Sequence, residues 1–252
     1  MLIILFILGL LSGLFAGLLG IGGGIISVPV LYYLFSWQNL PNAMEVAIAT
    51  SLAAIFITTL LSTWVHHRKS KGLPFRILGF LVPGLIVGCI SGAQLAHLLP
   101  GNALRIIFGG MAILIGIYFS VPKFPIPKIS ERPNPLLTFF GLIIGHLSSL
   151  LGIGGGIFTV PLLLAYHLPA QNLIAASSAA TLTTSFIGTI TYLLMGAHMS
   201  TTVNWVAFLA ISLGSLCTTA FGVHLAQKLP TPLLKRIFGA VLSFTGAVML
   251  FV

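Results

Sequence analysis

Acidic residues are almost missing from this sequence. Glu45 and Glu131 are the only two in 252 residues, and there is no aspartate. Charged residues of every kind make up 5%, against roughly a quarter in soluble domains, so a water-soluble fold is excluded. The second half offers no carboxylate pair, and HExxH, GxxxxGK and GxSxG patterns are all absent. A membrane hydrolase, an oxidoreductase or a nucleotide-driven pump therefore finds no support, and neither a metal nor an organic cofactor is expected. Cysteine is scarce as well. Cys89 and Cys217 sit inside apolar stretches, fit no metal pattern and no obvious disulfide, and read as small packing residues. No lysine lies deep in an apolar segment, which removes a retinal pigment. The first 65 residues lack Lys and Arg, and no small-x-small site closes the opening apolar run. That run is expected to stay in the mature protein and not to be cleaved as a signal peptide.

What is present is hydrophobic length. Residues of the apolar class supply 58% of the chain and the mean hydropathy is +1.14. A spanning helix needs about 20 apolar residues. Eight such segments follow one another at 2–35, 43–65, 75–97, 102–121, 135–167, 170–195, 203–227 and 233–252. The expected fold is an all-α, multi-pass integral membrane protein. The net charge of +9 is carried by basic residues dispersed over short connections near helix ends. There they orient the chain and meet lipid headgroups, so the bilayer is a partner and nucleic acid is not. An anionic substrate also suits this sign.

The two halves resemble each other. LLGIGGGIISVPVL at Leu18–Leu31 returns as LLGIGGGIFTVPLL at Leu150–Leu163. Ala49-Thr50-Ser51 answers Ala176-Ser177-Ser178, and Gly92 to Ala96 answers Gly222 to Ala226. Leu104-Arg105 with Phe108-Gly109 answers Leu234-Lys235 with Phe238-Gly239. Landmarks in one order imply duplication of a four-segment unit. The expected organisation is a first repeat at 1–121, a Pro-rich linker at 122–134 carrying Glu131, and a second repeat at 135–252. Segments one and five are too long for one crossing, because about 33 helical residues reach roughly 50 Å against a core near 30 Å. Breaks are expected at Gly22 to Gly24 and at Gly154 to Gly156, each followed by a proline, Pro29 or Pro161. The basic connections after segment two, in the linker and before the last segment cannot all face the cytoplasm with eight simple crossings. They can if each broken segment is a re-entrant hairpin, which makes the repeats inverted.

A helix interrupted by glycines exposes backbone N–H groups and aims its positive dipole end at the gap, a natural seat for an oxyanion. Close helix packing is the alternative use of such glycines; their duplication at matched positions favours the site. Ser27 and Thr159 stand at equivalent places after the glycines, and Thr50, Ser51, Ser177 and Ser178 follow on the next segments. Each could donate to an anion, or back-bond to its own helix. Glu45 is a candidate for proton coupling, although Asn42-Ala-Met-Glu45 also resembles a helix cap, the reading favoured here. His146 and His167 flank the second glycine motif and could relay protons, or serve as ordinary core or interface histidines, the plainer reading. Gln94 and His224 at matched positions read as polar helix-end residues or as a symmetric gate.

The duplicated GLLGIGGGIISVPVL and SLLGIGGGIFTVPLL, with Ala47-Ile-Ala-Thr-Ser51 and Gly92 to Ala96, resemble the sulfite exporter TauE/SafE family over the full chain. Its members are also described as four-toluene sulfonate uptake permeases. The resemblance implies a carrier for sulfur-containing or carboxylated organic anions, such as sulfite, sulfoacetate or sulfonates, in the bacterial cytoplasmic membrane, with import and export both represented. Ala175-Ala-Ser-Ser178 departs from the common Ala-x-Gly-Thr-Ser pattern, although a hydroxyl is retained. The expected function is secondary transport by alternating access, with a membrane scaffold or assembly factor and an anion channel as rivals. Homo-oligomer formation is left open.

Overall fold

The computed structural model describes residues 1–69, 75–120, 135–166, 170–196, 202–226, 228 and 231–251. The linker at 122–134, with Glu131, and His167 lie outside the described residues. Ten α-helices account for nearly all of the rest: α1 Leu2–Leu19, α2 Gly24–Trp37, α3 Ala43–Lys69, α4 Phe75–Leu98, α5 Gly101–Ser120, α6 Leu136–Leu151, α7 Gly156–Leu164, α8 Ala170–Met195, α9 Trp205–Ala226 and α10 Thr231–Phe251. The fold is all-helical, and both overlong segments are broken at the glycine motifs. Among the described residues, five helices are long and apolar enough to cross a bilayer, and α1, α2, α6 and the end of α10 are shorter apolar helices.

The breaks reverse the chain. Gly23 lies directly against Ser12, the Ser12 and Ser27 hydroxyl oxygens lie 3.2 Å apart, and the Gln38 amide reaches the Met1 sulfur. Helix α2 therefore runs back toward the end at which α1 begins. Helix α3 starts at that first end, α4 returns to it, and α5 leaves it again. Helix α6 lies beside α4 in the same direction, with Gly84 facing Thr138, Gly88 facing Leu142 and Gly92 facing His146. It thus enters from the second end. Helix α8 is antiparallel to α3, since Leu52 meets Gly188 while Phe56 meets Phe186. It too starts at the second end, and the short connection from Tyr166 to Ala170 returns α7 there.

The packing follows an exchange of halves. Helix α1 lies along α9 as α6 lies along α4, α5 crosses α10, and α3 crosses α8 at the centre. Glycines at four-residue spacing let backbones touch in the first two pairs. Gly9, Gly13 and Gly17 of α1 meet Ile211, Ser215 and Thr219, and Gly84, Gly88 and Gly92 do the same for α4 against α6. Small residues at such spacing replace the hydrophobic drive that lipid removes.

Polarity is arranged for lipid. Among the described residues the buried polar side chains are Ser and Thr with the hydroxyls of Tyr166 and Tyr192, whereas Ile3, Leu114, Leu194 and Phe244 point outward and are more than half exposed. In a bilayer a buried hydroxyl left without a partner is costly. Most bond to a carbonyl one turn back, as Thr58 does to Ala54 and Thr191 to Ile187.

Candidate functional site

The two glycine turns meet between α3 and α8. Gly20 ends α1 and Gly152 ends α6 in the left-handed conformation, with φ of 66° and 69°. Gly22 and Gly154 repeat it at 74° and 79°. A Cβ there costs about 1–2 kcal/mol, which explains why GIGGG carries glycine at its first and third places. The remaining glycines serve close approach. Gly24 sits over the Gly152 carbonyl and the Ile153 backbone, and Gly156 sits over Ile21 and the Gly20 carbonyl. Each turn thus packs on the other, and Gly22 and Gly154 share the same neighbours, Ile55 of α3 and Thr181 of α8.

Most hydroxyls singled out from the sequence converge here with their protons already committed. Ser27 donates to Gly23 O at 3.0 Å and Thr159 to Gly155 O at 2.7 Å, one turn back in each helix. Ser51 donates to Gly152 O at 3.1 Å, and Ser177 bridges to Gly20 O and Gly156 O at 3.3 and 3.4 Å. Thr50 faces elsewhere and accepts the Asn204 N–H at 3.0 Å. A hydroxyl has one proton, so those of Ser27, Thr159, Ser51 and Ser177 are occupied in holding the turns together. Ser178 is the exception: fully buried beside Gly20, its Oγ has no hydrogen-bond partner.

The helix starts differ between halves. Neither α2 nor α7 has a side-chain cap on its first turn. At α7 the Gly155 N–H donates to Thr184 Oγ1 at 2.8 Å. At α2 a cleft opens beside Gly22 and Gly23, walled by Phe15, Ile25, Ile26, Phe238 and Val241. It has room for about one water molecule. Its walls are apolar, so an anion entering it would find polar partners chiefly in the turn and in the free backbone N–H groups at the buried start of α2.

The proton-coupling candidates lie apart from this centre. Glu45 is in the first turn of α3, but its carboxylate bonds to His97 Nδ1 at 2.7 Å, at the last turn of α4. Asn42 has a φ of 54°, which differs from the extended backbone of an ordinary N-cap. The Glu45 carboxylate thus ties two helix ends together across 52 residues of sequence, a partner that no local pattern announces. His146 Nδ1 pairs with Ser91 Oγ at 2.9 Å within the α4–α6 contact. Cys89 is buried as expected of a packing residue, whereas Cys217 is exposed, and both are free thiols.

Sequence reasoning missed Ser12, on which Gly23 and Ser27 rest, and Thr181 and Thr184, which face the turns from α8. Ser12 and Gly23 come together only because the chain reverses. The threonine spacing 181, 184 beside Ser177 and Ser178 was a legible signal, since all lie on one helical face.

Helical hairpins inserted from opposite ends and meeting inside a lipid-facing bundle define a multi-pass membrane protein of transporter type. The chain belongs to the sulfite exporter TauE/SafE family, whose model matches residues 5–249. It is similar to proteins named probable membrane transporter proteins. One, from Methanocaldococcus jannaschii, is 29% identical over 98% of this chain and 94% of its own length. A second, YunE of Bacillus subtilis, is 28% identical over 99% and 97%. A third, from Haemophilus influenzae, is 28% identical over 94% and 93%. No solved structure matches the chain.

Proposed function

We propose that this membrane transporter is a secondary carrier of small organosulfur or related anions, of the sulfite, sulfoacetate and sulfonate class, working by alternating access in a bacterial cytoplasmic membrane. The observation that carries the reading is the uncapped start of α2, beside which a cleft opens between Gly22, Gly23 and α10. With the neighbouring hydroxyls committed to carbonyls, the groups left to serve an oxyanion are the first backbone N–H groups of α2 and the hydroxyl of Ser178. The Gly155 N–H would join them once Thr184 turned away.

Close packing of the turns supports a carrier over an open channel, and their shared seat on Ile55 and Thr181 supports coupled movement. Tilting the second leg of one hairpin, α2 or α7, away from that seat would open the centre to one end while the other hairpin keeps it closed. In the membrane the halves would then be inverted repeats. Helices α3, α5 and α9 all end at the second end, so every Lys and Arg except Arg105 falls in or beside a connection there. The positive-inside rule makes that end cytoplasmic and places both termini outside.

The test is counterflow of labelled sulfite in proteoliposomes, with sulfoacetate, small sulfonates, carboxylates and chloride as competitors. Saturable uptake accelerated by internal unlabelled anion is the expected result, weakened in Ser178→Ala. Flux that never saturates would replace the carrier with a channel, and no flux above empty liposomes for any anion would return the chain to a scaffold role.

A further inference from the structure

Among the candidates for a further site, a cation at the first end stands out. Arg105 is the fifth residue of α5, roughly 6 Å inside the start of a helix apolar enough to span. Its neighbours along the chain are apolar, and its Nε is buried with no hydrogen-bond partner. Among the described residues, every other Lys and Arg lies at the opposite end. An ionisable group placed inside the bilayer without a partner is costly, and such positions mark ion or substrate paths. Snorkelling to a lipid phosphate is the competing use of a long basic side chain.

The surroundings of Arg105 favour a path. Helices α2 and α10 lie side by side, running the same way toward the first end. The cleft walls Ile26 and Val241 mark one level of this seam, and Tyr33 and Val248 mark another, seven residues or roughly 10 Å farther out. At that outer level the Tyr33 hydroxyl donates to Val248 O at 2.9 Å, a single bond clasping the two helices. Arg105 is within electrostatic reach of Tyr33. On α5 it lies one turn nearer the first end than Gly109, which itself faces Leu250 of α10. The cation therefore stands where the seam opens, and the seam leads down to the uncapped start of α2.

We propose that Arg105 is an oxyanion-binding residue at the outer mouth of the α2–α10 seam, selecting anionic substrate before it passes the Tyr33 clasp. The proposal rests on the carrier reading above. A guanidinium suits the task because its planar fork pairs two donors with two oxygens of sulfite, sulfonate or carboxylate, where ammonium offers only a point charge. The buried Nε and the outer nitrogens together supply that fork. The second half carries Lys235 at the matching place in the sequence.

The experiment is a thermal-unfolding titration of the full chain in detergent with sulfite as the probe, comparing wild type, Arg105→Gln and Arg105→Lys. A charge-assisted bond lost from a part-buried site should raise the half-saturating sulfite concentration roughly tenfold in Arg105→Gln, with Arg105→Lys between the two. The lysine variant keeps the charge and so tests the point where the glutamine variant does not fold. A parallel titration with phosphatidylglycerol separates the two sources of oxyanion. Loss of the lipid's effect in Arg105→Gln with sulfite affinity unchanged would make Arg105 a headgroup anchor and overturn the proposal. Equal sulfite affinity in all three proteins would overturn it while leaving the carrier reading standing. A wild type indifferent to every anion of the panel would remove both.

Discussion

Gly22→Ala tests the packing of the glycine turns most directly. The substitution acts through two separable costs. Gly22 holds a φ of 74°, and an L-residue forced into the left-handed region loses about 1–2 kcal/mol. The added methyl would also stand 2.7 Å from Ile55 Cγ2 and 3.2 Å from Thr181 Cγ2. Both neighbours are β-branched and sit on helices that meet at the centre, so relief requires a shift of α3 or α8, and overpacking of this kind costs about 1–3 kcal/mol. The sum is roughly 2–5 kcal/mol, a fall in Tm on the order of 5–20 °C for a chain of this size. Gly79→Ala is the matched control, because a Cβ there meets nothing within 4 Å. It lies inside α4 and should leave stability unchanged or raise it by up to about 1 kcal/mol. Tryptophan fluorescence during heating in detergent reads both. Midpoints for Gly22→Ala and Gly79→Ala within a degree or two of each other would refute the reasoning, since the turn would then tolerate what its geometry forbids.

Other expectations follow from the hydrogen bonds. Ser51→Ala should lower stability by about 1 kcal/mol through its lost bond to Gly152 O, whereas Ser178→Ala, which frees a buried unpartnered oxygen, should be neutral or stabilising. A larger loss for Ser178→Ala than for Ser51→Ala in the same melting assay would contradict this. His97→Asn breaks a partly exposed ion pair and should cost no more than about 1 kcal/mol. If Glu45 and His97 also couple transport to protons, the pH dependence of sulfite counterflow should change in that variant; an unaltered profile, or flux indifferent to collapse of the proton gradient, would remove the coupling role. Single cysteines at Asn102 and at Lys228, in a chain with Cys89 and Cys217 replaced by serine, should react with an impermeant thiol reagent from opposite sides of the membrane. Labelling of both from one side would contradict the hairpin topology.

The sequence carried the class of fold and the positions of the breaks, because hydropathy counts residues and glycine clusters are local. It pointed to a reversal at each break only through the placement of the basic connections. The contacts that make the reversal, such as Gly23 on Ser12 and Gln38 on Met1, join residues that no pattern relates. The hydroxyls were found by type, yet their roles were not legible. Ser27 and Thr159 sit in matched places and both bond one turn back, while Ser51 and Ser178, also matched, differ: one holds a carbonyl and the other holds nothing. The glycines at 9, 13 and 17 and at 84, 88 and 92 were legible as small residues at four-residue spacing. Their partners were not, because each lies in the opposite half.

The exchange of partners between halves bears on how such a protein could move. Helix α1 is clamped by backbone contact to α9, and α6 to α4, so each hairpin's first leg is held by the other half of the chain. The second legs are held more lightly, α2 by its own α3 and by the Tyr33 clasp on α10, and α7 chiefly by α8. A Cβ added at these glycines would overlap a facing carbonyl, so the clamped legs cannot slide without separating helices whose glycines touch along their length. Motion that exposes the centre therefore falls to α2 and α7, the short prolyl helices. Pro29 and Pro161 deny each of them a backbone donor within its own helix. Cysteines placed at Tyr33 and Val248 and joined by a short bifunctional methanethiosulfonate should then halt counterflow and leave melting unimpaired, with reduction restoring flux. Full flux through the crosslinked protein would show that the α2–α10 seam does not open in the cycle.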